Sequence, residues 1–127
     1  MKFRGKDIET MDWRYGYYYV NEKHEHVIVD GCESYKVDPS TLGMSTGMLS
    51  AGGDAEIYEG DIIKHRTTGA ERVVSWCEAF AAFMVSDDLR VAEPVSLDVY
   101  HLADSDYAGD QQCDIVGNVI DNEIKNR

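Results

Sequence analysis

Short apolar runs, separated by turns that contain Gly or Asp, restrict what this chain can fold into more than any other feature. Residues 15–20 are aromatic and favour a strand, and residues 26–29 follow at the distance of a hairpin. Asp30 and Gly31 then signal a turn, and residues 33–37 have the pattern of a short third strand. This order predicts an N-terminal antiparallel β-hairpin element.

The middle of the chain repeats the pattern of short strands and tight turns. Ile57 and Tyr58 precede a predicted turn at 59–61, and residues 62–65 and 72–76 are predicted strands. We therefore expect a second group of antiparallel strands after the N-terminal hairpin.

The segments that follow leave more than one structure open. Residues 78–85 contain good helix formers but also alternate acceptably for a strand, so a strand and one short helix are both possible there. Residues 94–102 fit a further strand or a short helix, and residues 104–114 form a predicted polar loop. The β-branched residues 115–120 predict a closing strand.

The predicted fold class is mainly β, because many short strands with tight turns are typical of a small barrel or sandwich. The Gly-rich residues 38–54 are expected to form a long ordered connection. A chain of 127 residues has the usual length of one domain, so we predict a single domain over residues 1–127. The predicted core surrounds the central turn and consists of Ile57, Tyr58, Ile62 and Ile63, with Trp76 and residues 116–120 nearby.

Three residues have predicted structural roles in turns and bulges. Gly60 is expected to adopt a positive φ, and the Asp61 side chain can accept hydrogen bonds from the amides that follow it. Gly117 interrupts a β-branched run, which indicates a bulge or a close approach of another backbone segment.

The net charge of the chain restricts the kinds of partner that it can bind. Twenty-four acidic and twelve basic residues give a formal net charge of −12, whereas direct binding to a phosphate backbone needs clustered Lys and Arg. Residues 77–114 contain nine acidic side chains and one basic side chain, Arg90. This acidic segment is either a solvated surface or a surface that meets a basic partner.

An aromatic row is the main candidate for a binding surface. Trp13, Tyr15, Tyr17 and Tyr19 lie in phase on one face of a predicted strand, because side chains alternate along a strand. Such a row packs into a core or forms a subunit interface. Base stacking is less suited to it, since Arg14 is the single basic residue interleaved with these aromatic residues in the sequence.

Metal binding and catalysis find little support in the sequence. His24 and His26 would share one face of a strand and could bind zinc or nickel with Cys32 or His65 as a third ligand. Residues 104–110 begin like a calcium loop, with acids at the first and third positions. The twelfth position of such a loop would be Ile115, where a Glu is needed. Without a nucleophile motif, we predict no catalytic residue, no cofactor and no metal.

The number and spacing of the cysteines indicate the cellular compartment. Cys32, Cys77 and Cys113 are widely spaced and odd in number, which is not the pattern of a disulfide framework. We expect them to be buried as small hydrophobic residues. The N-terminus lacks the apolar stretch of a signal peptide, so we predict a cytoplasmic protein.

Three ordered segments resemble the YopX family of phage and prophage proteins. They are Val37-Asp38-Pro39-Ser40-Thr41-Leu42-Gly43, Ile57-Tyr58-Glu59-Gly60-Asp61-Ile62-Ile63 and Ile115-Val116-Gly117-Asn118-Val119-Ile120-Asp121-Asn122. Lys2-Phe3-Arg4 and Trp13-Arg14-Tyr15-Gly16 add to the resemblance. The resemblance implies a mostly β fold with an SH3-like barrel, an origin in a phage or prophage of a bacterial host, and self-association. It implies no reaction, cofactor or catalytic residue.

Taken together, the sequence predicts a non-enzymatic accessory protein that works as an oligomeric protein-interaction module. Its predicted partner is itself, with a host or phage protein as a further partner, and without direct contact to nucleic acid or membrane. Two alternatives stay open. The acidic segment could act as a decoy that inhibits a host nucleic-acid-binding protein, and His24 and His26 could belong to a metal-dependent enzyme.

Overall fold

The computed structural model describes residues 2–53, 55–66, 69–78, 81–86, 95–96 and 113–125. Contacts within the chain group it into two compact units, Met1–Ser45 and Thr46–Arg127. Both units are built mainly from antiparallel strands, so the predicted mainly β class is confirmed. The single domain over residues 1–127 stays a prediction.

The first unit is an antiparallel sheet. Its strands are β1 (Phe3–Lys6), β2 (Trp13–Val20), β3 (His26–Asp30), β4 (Glu33–Lys36) and the first residues of β5 (Gly43–Leu49). The order is β4-β3-β2-β1, and β1 also pairs with β5 at Gly43 and Met44. The predicted N-terminal hairpin element is confirmed, and the predicted turn at Asp30 and Gly31 contains Gly31 with φ 61°.

The two outer strands of this four-stranded arrangement meet at one end. Asp7 and Val37 form an antiparallel bridge, and the amide of Asp38 donates to the carbonyl of Lys6 at 2.9 Å. The amide of Ile8 also donates to the carbonyl of Lys36 at 3.1 Å. The sheet is therefore strongly curled. A single bridge is not a continuous ladder, however, so the described strands do not close into a barrel and the SH3-like barrel stays a prediction.

The turn between β1 and β2 is organised by one carboxylate. Asp7 accepts hydrogen bonds from the amide of Glu9 at 2.8 Å and from Nε of Arg14 at 3.1 Å. The Glu9 amide, followed by the Arg14 side chain and the Thr10 amide, lowers the pKa of the Asp7 carboxyl against an opposing effect of burial. The local chain from β1 to β2 is thereby fixed, which sets the register of the aromatic row in β2.

The inner face of the curled sheet is filled by side chains from alternate strand positions. Ile28 is completely buried, and the rings of Phe3 and Tyr18 lie 5.3 Å apart. Gly5 allows close packing there, since a Cβ at this position would lie 3.2 Å from Val37. The residues of β2 that alternate with Tyr18 therefore face outward.

The second unit contains a five-stranded antiparallel sheet with the order β10-β9-β8-β7-β11. Its elements are β6 (Glu56–Tyr58), β7 (Asp61–His65), β8 (Glu71–Cys77), β9 (Ala82–Ser86), β10 (Val95–Ser96), β11 (Cys113–Asn118) and α1 (Val119–Lys125). The end of β5 pairs with β6. The strands predicted at 62–65 and 72–76 are confirmed, and residues 82–86 form a strand rather than the alternative helix.

The core of the second unit matches the sequence prediction in part. Ile57, Ile63, Val74, Val85 and Cys113 form one buried cluster, with Met48, Phe83 and Ile115 packed against it. Tyr58 is also buried, and Ile62 is half-buried. Trp76 lies next to this core as predicted, although it is 37% exposed, whereas the prediction for Val116 was wrong because its side chain is 49% exposed. Trp76 contacts Phe83 edge-on near the end of β8, and Val116 lies in a bulge that turns it outward.

Two further segments differ from the sequence prediction. Residues 38–54 are not only a connection, because they contain the strand β5 between two 3-10 turns, Pro39–Thr41 and Ala51–Gly53. The predicted closing strand ends at Asn118, and the chain continues as the helix α1. The polar loop predicted at 104–114 lies outside the described residues up to position 112, as does most of 94–102.

Candidate interaction surface

The outward face of β2 carries three exposed tyrosines. Tyr15, Tyr17 and Tyr19 are 39%, 71% and 49% exposed, and we refer to these three side chains as the tyrosine face. The predicted row along one side of the strand is present, but these three residues are not packed in a core. Trp13, the fourth member of the predicted row, is half-buried.

Trp13 is covered by cations from the neighbouring strand. The guanidinium of Arg4 lies 4.6 Å from the centre of the Trp13 ring, and the ammonium of Lys6 lies 4.7 Å from it. These contacts follow from the register, which places Lys6 opposite Trp13 and Arg4 opposite Tyr15. Sequence reasoning missed them because it looked for basic residues within the aromatic run. The alternation of Lys2, Arg4 and Lys6 was the signal that could have revealed them.

A cleft of about 270 Å³ opens between Tyr15 and Tyr17. Its lining includes Lys2 from the β1 side, Asp30 from the β3 side, and Gly16 and Val29. Lys2 and Asp30 are both exposed, and within the described part of the chain neither takes part in a salt bridge. The cleft therefore has aromatic side chains and Lys2 along its β1 side and backbone of the β3 end along the other.

A second, wider concavity lies beside Tyr19, at the other end of the tyrosine face. Two of the four charged residues that line it are paired with each other, since Lys36 and Glu25 form an ion pair at 2.8 Å. The hydrogen bond to Glu25 raises the pKa of Lys36, and the hydrogen bonds from Lys36 and then Asn21 lower the pKa of Glu25.

The two histidines are not arranged as the alternative metal site required. His24 lies in the turn before β3 with φ 62°, whereas His26 lies in β3, so the expectation that both share one strand face was wrong. Nδ1 of His26 is hydrogen-bonded to the hydroxyl of Tyr18, and the two rings stack with centres 5.8 Å apart. Among the residues that the structure describes, His, Cys, Asp and Glu form no group of three suited to a metal ion.

The cysteines differ in burial and reactivity. Cys32 is exposed, contrary to the expectation of a buried residue, Cys77 is half-buried and Cys113 is fully buried. Burial, followed by the nearby charge of Asp114, raises the pKa of the Cys113 thiol to about 12. Although Cys113 lies opposite His65 in the register of β11 and β7, its thiol stays protonated at neutral pH and is unsuited to nucleophilic attack.

The acidic segment 77–114 is described only in part. Asp114 accepts two hydrogen bonds of 2.9 Å from Arg66, which lower the pKa of its carboxyl. Residues 104–110, with the predicted calcium-loop pattern, lie outside the described residues. The acidic decoy stays a prediction, with no described surface that favours it.

The predicted turn residues have structural roles. Gly60 has φ 92°, its amide donates to the carbonyl of Val74 at 2.8 Å, and its carbonyl accepts from the amide of Val119 at 2.9 Å. The carboxylate of Asp61 accepts from the amide of Tyr58 at 2.7 Å, an amide that precedes Asp61 in sequence. Gly117 lies where the register of β11 and β7 shifts, so the bulge is confirmed.

These features define a mainly β protein that presents a row of three exposed tyrosines on β2. The chain belongs to the YopX family, because residues 2–123 match the family described as YopX protein. No curated protein matches the chain. Within the described residues, every helix is too short or too polar to cross a membrane.

Proposed function

We propose that this protein is a non-enzymatic interaction module that associates with itself through the tyrosine face. The observation that carries the proposal is the exposure of Tyr15, Tyr17 and Tyr19 in one row, up to 71% for Tyr17. Tyrosine is enriched at protein interfaces, because its ring supplies apolar contact area while its hydroxyl can still bond to water or a partner.

The support beneath these side chains makes them suitable for binding. β2 is paired on both sides, with β1 and with β3, so its backbone is held before any partner arrives. Tyrosine also has few rotatable bonds, and ordering it on binding costs little conformational entropy. A paired central strand that presents three tyrosines is thus a preorganised contact surface.

The proposal also covers the biological origin of the protein and its place in the cell. The resemblance that the sequence carries implies a phage or prophage accessory protein in the cytoplasm of a bacterial host, with an SH3-like barrel as its fold. Family membership supports this setting but assigns no activity. We also propose that the protein has no enzymatic activity and binds no cofactor.

Sedimentation of the purified protein over a range of concentrations tests the proposal. We expect the wild-type chain to form a dimer or larger oligomer, and Tyr17→Ser to weaken this association about tenfold or more, as expected for a central interface aromatic residue. Ile8→Ser is the matched control, because Ile8 is 53% exposed in the same unit but does not belong to the tyrosine face. A wild-type chain that stays monomeric at high micromolar concentration would contradict the proposal.

A further inference from the structure

The cleft between Tyr15 and Tyr17 has the features of a binding site for a small ligand. Its lining combines these two aromatic side chains with Val29 on the β3 side and Lys2 on the β1 side. We infer that the cleft binds a planar aromatic ring that carries one anionic group, which is the chemistry of a nucleoside monophosphate. This inference goes beyond the proposed function and does not depend on it.

The register of the strands brings the side chains of the cleft to one face of the sheet. The antiparallel pairing of β1 with β2 reaches Gly16, so the next pair in register is Lys2 and Tyr17. Tyr17 is also paired with Val29 of β3. Because directly opposite residues of antiparallel strands point to the same face, Lys2, Tyr17 and Val29 form one row across three strands. The amide of Ser45 donates to the carbonyl of Lys2 at 2.8 Å, which fixes the backbone at this end of the row.

The two tyrosines suit a flat ligand. Tyr15 and Tyr17 are two residues apart on one strand, and such residues lie about 6.6 Å apart on the same face. This is about twice the 3.4 Å step between stacked bases, so one flat ring fits between two aromatic side chains at this spacing. The cleft volume of about 270 Å³ lies near the lower end of ligand sites, about 300–1,000 Å³, which suits one nucleotide better than a larger cofactor.

The charge on this face favours an anionic ligand. Lys2 is exposed and lies opposite Tyr17, whereas Asp30 follows Val29 in β3 and therefore turns its side chain to the other face. Among the described residues that line the cleft, Lys2 is thus the one that presents a charged side chain on the tyrosine face. A phosphate attached to a bound ring could accept charge-assisted hydrogen bonds from the Lys2 ammonium.

The number of exposed cations favours a single nucleotide over a strand of nucleic acid. Arg4 and Lys6 continue the row of cations along β1, but both are buried and lie over the ring of Trp13. A nucleic acid strand needs several exposed cations to replace the counterions of its phosphates, whereas a monophosphate can be held by one. The net charge of −12 also repels a polyanion more strongly than a monophosphate.

Saturation-transfer NMR with adenosine monophosphate tests the aromatic part of the site. The signal is observed on the ring protons of the nucleotide, so the protein can be kept too dilute for a second copy to cover Tyr17. We expect Tyr17→Leu to weaken binding about tenfold, as for the loss of one base-stacking ring, and Tyr17→Phe to bind like wild type. Tyr19→Leu is the matched control, because Tyr19 belongs to the same face of β2 but does not line the cleft.

A comparison of two ligands tests the role of Lys2. Adenosine, which lacks the phosphate, should bind wild type several-fold more weakly than adenosine monophosphate does. Lys2→Ala should bind the two ligands equally, because the ammonium that distinguishes them is gone. Lys64→Ala removes an exposed lysine of the second unit and should keep the wild-type preference.

Three results would overturn the inference. They are a lack of saturation transfer to adenosine monophosphate, equal losses in Tyr17→Leu and Tyr19→Leu, and an unchanged preference for the phosphate in Lys2→Ala. Much tighter binding of single-stranded DNA than of the mononucleotide would also contradict it, and would assign the surface to nucleic acid. The self-association is measured separately by sedimentation, so the proposed function can stand or fail independently of these results.

Discussion

Gly16 shows how strongly a single residue position is constrained where two strands approach each other. A Cβ at Gly16 would lie 2.0 Å from the carbonyl oxygen of Val29, far inside van der Waals contact. The obstructing atom belongs to the backbone of the neighbouring strand, so no side-chain rotation can relieve the overlap. Only glycine is compatible with this approach of β2 to β3, which supports the tyrosine face from behind.

Replacement of Gly16 by Ala should therefore destabilise the protein. We expect a loss of about 2 kcal/mol or more in the free energy of unfolding, because β2 and β3 must separate to accommodate the methyl group. Urea denaturation measures the change. Gly117→Ala is the control, since the nearest atom to a Cβ there is 4.0 Å away, and it should cost less than about 1 kcal/mol. Equal stability of Gly16→Ala and wild type would show that the two strands are placed incorrectly.

The conformation of a single residue could be predicted from the sequence where its immediate neighbours determine it. The positive φ of Gly60 could be predicted, because its neighbours Glu59 and Asp61 already form a turn signal. The constraint on Gly16 could not be predicted, since it comes from a carbonyl that is thirteen residues away in sequence. The exposure of Val116 was missed for a similar reason, because a bulge shifts the alternation of side chains.

The boundary between β11 and α1 is set by one side chain. Oδ1 of Asn118 accepts from the amide of Asp121 at 2.8 Å, and Nδ2 of Asn118 donates to the carboxylate of Asp121 at 2.9 Å. These reciprocal bonds satisfy a free amide in the first turn of the helix. The β-branched pair Val119 and Ile120 suggested that the strand continues, but the cap ends the strand at Asn118.

Removal of the cap should weaken the end of the second unit. We predict that Asn118→Ala lowers the free energy of unfolding by about 1 kcal/mol, whereas Asn118→Ser retains a capping oxygen and loses only a fraction of this. Thermal or chemical denaturation of the two variants measures the difference. If Ala and Ser at this position are equally tolerated, the helix is not held by the side-chain bond to Asp121.

Prediction of elements from the sequence succeeded for runs with a strong β pattern and failed for weak ones. β2, β3 and β7 are aromatic or β-branched and could be identified, whereas β5 is composed mainly of Gly, Met, Ser and Thr. β5 is a strand because β1 and β6 offer it hydrogen-bonding partners, which the local sequence does not show. The Asn118 and Asp121 spacing was the available signal for α1.

Charge is distributed unequally over the whole molecule. The second unit contains sixteen of the 24 acidic residues, while the first unit contains eight acidic and six basic residues. Most of the acidic residues therefore belong to the second unit, whereas the tyrosine face belongs to the first. The candidate surface could be located from the alternation in β2, but its cleft depends on pairing with β1 and β3.

Hydroxyl-radical footprinting at several protein concentrations measures burial of the tyrosine face most directly. If the face mediates self-association, oxidation of Tyr17 should decrease several-fold as concentration rises through the range where oligomers form. Trp76, which is 37% exposed in the second unit, should be oxidised equally at every concentration and provides the internal control. Oligomers that form while Tyr17 remains as reactive as in the dilute protein would contradict the account.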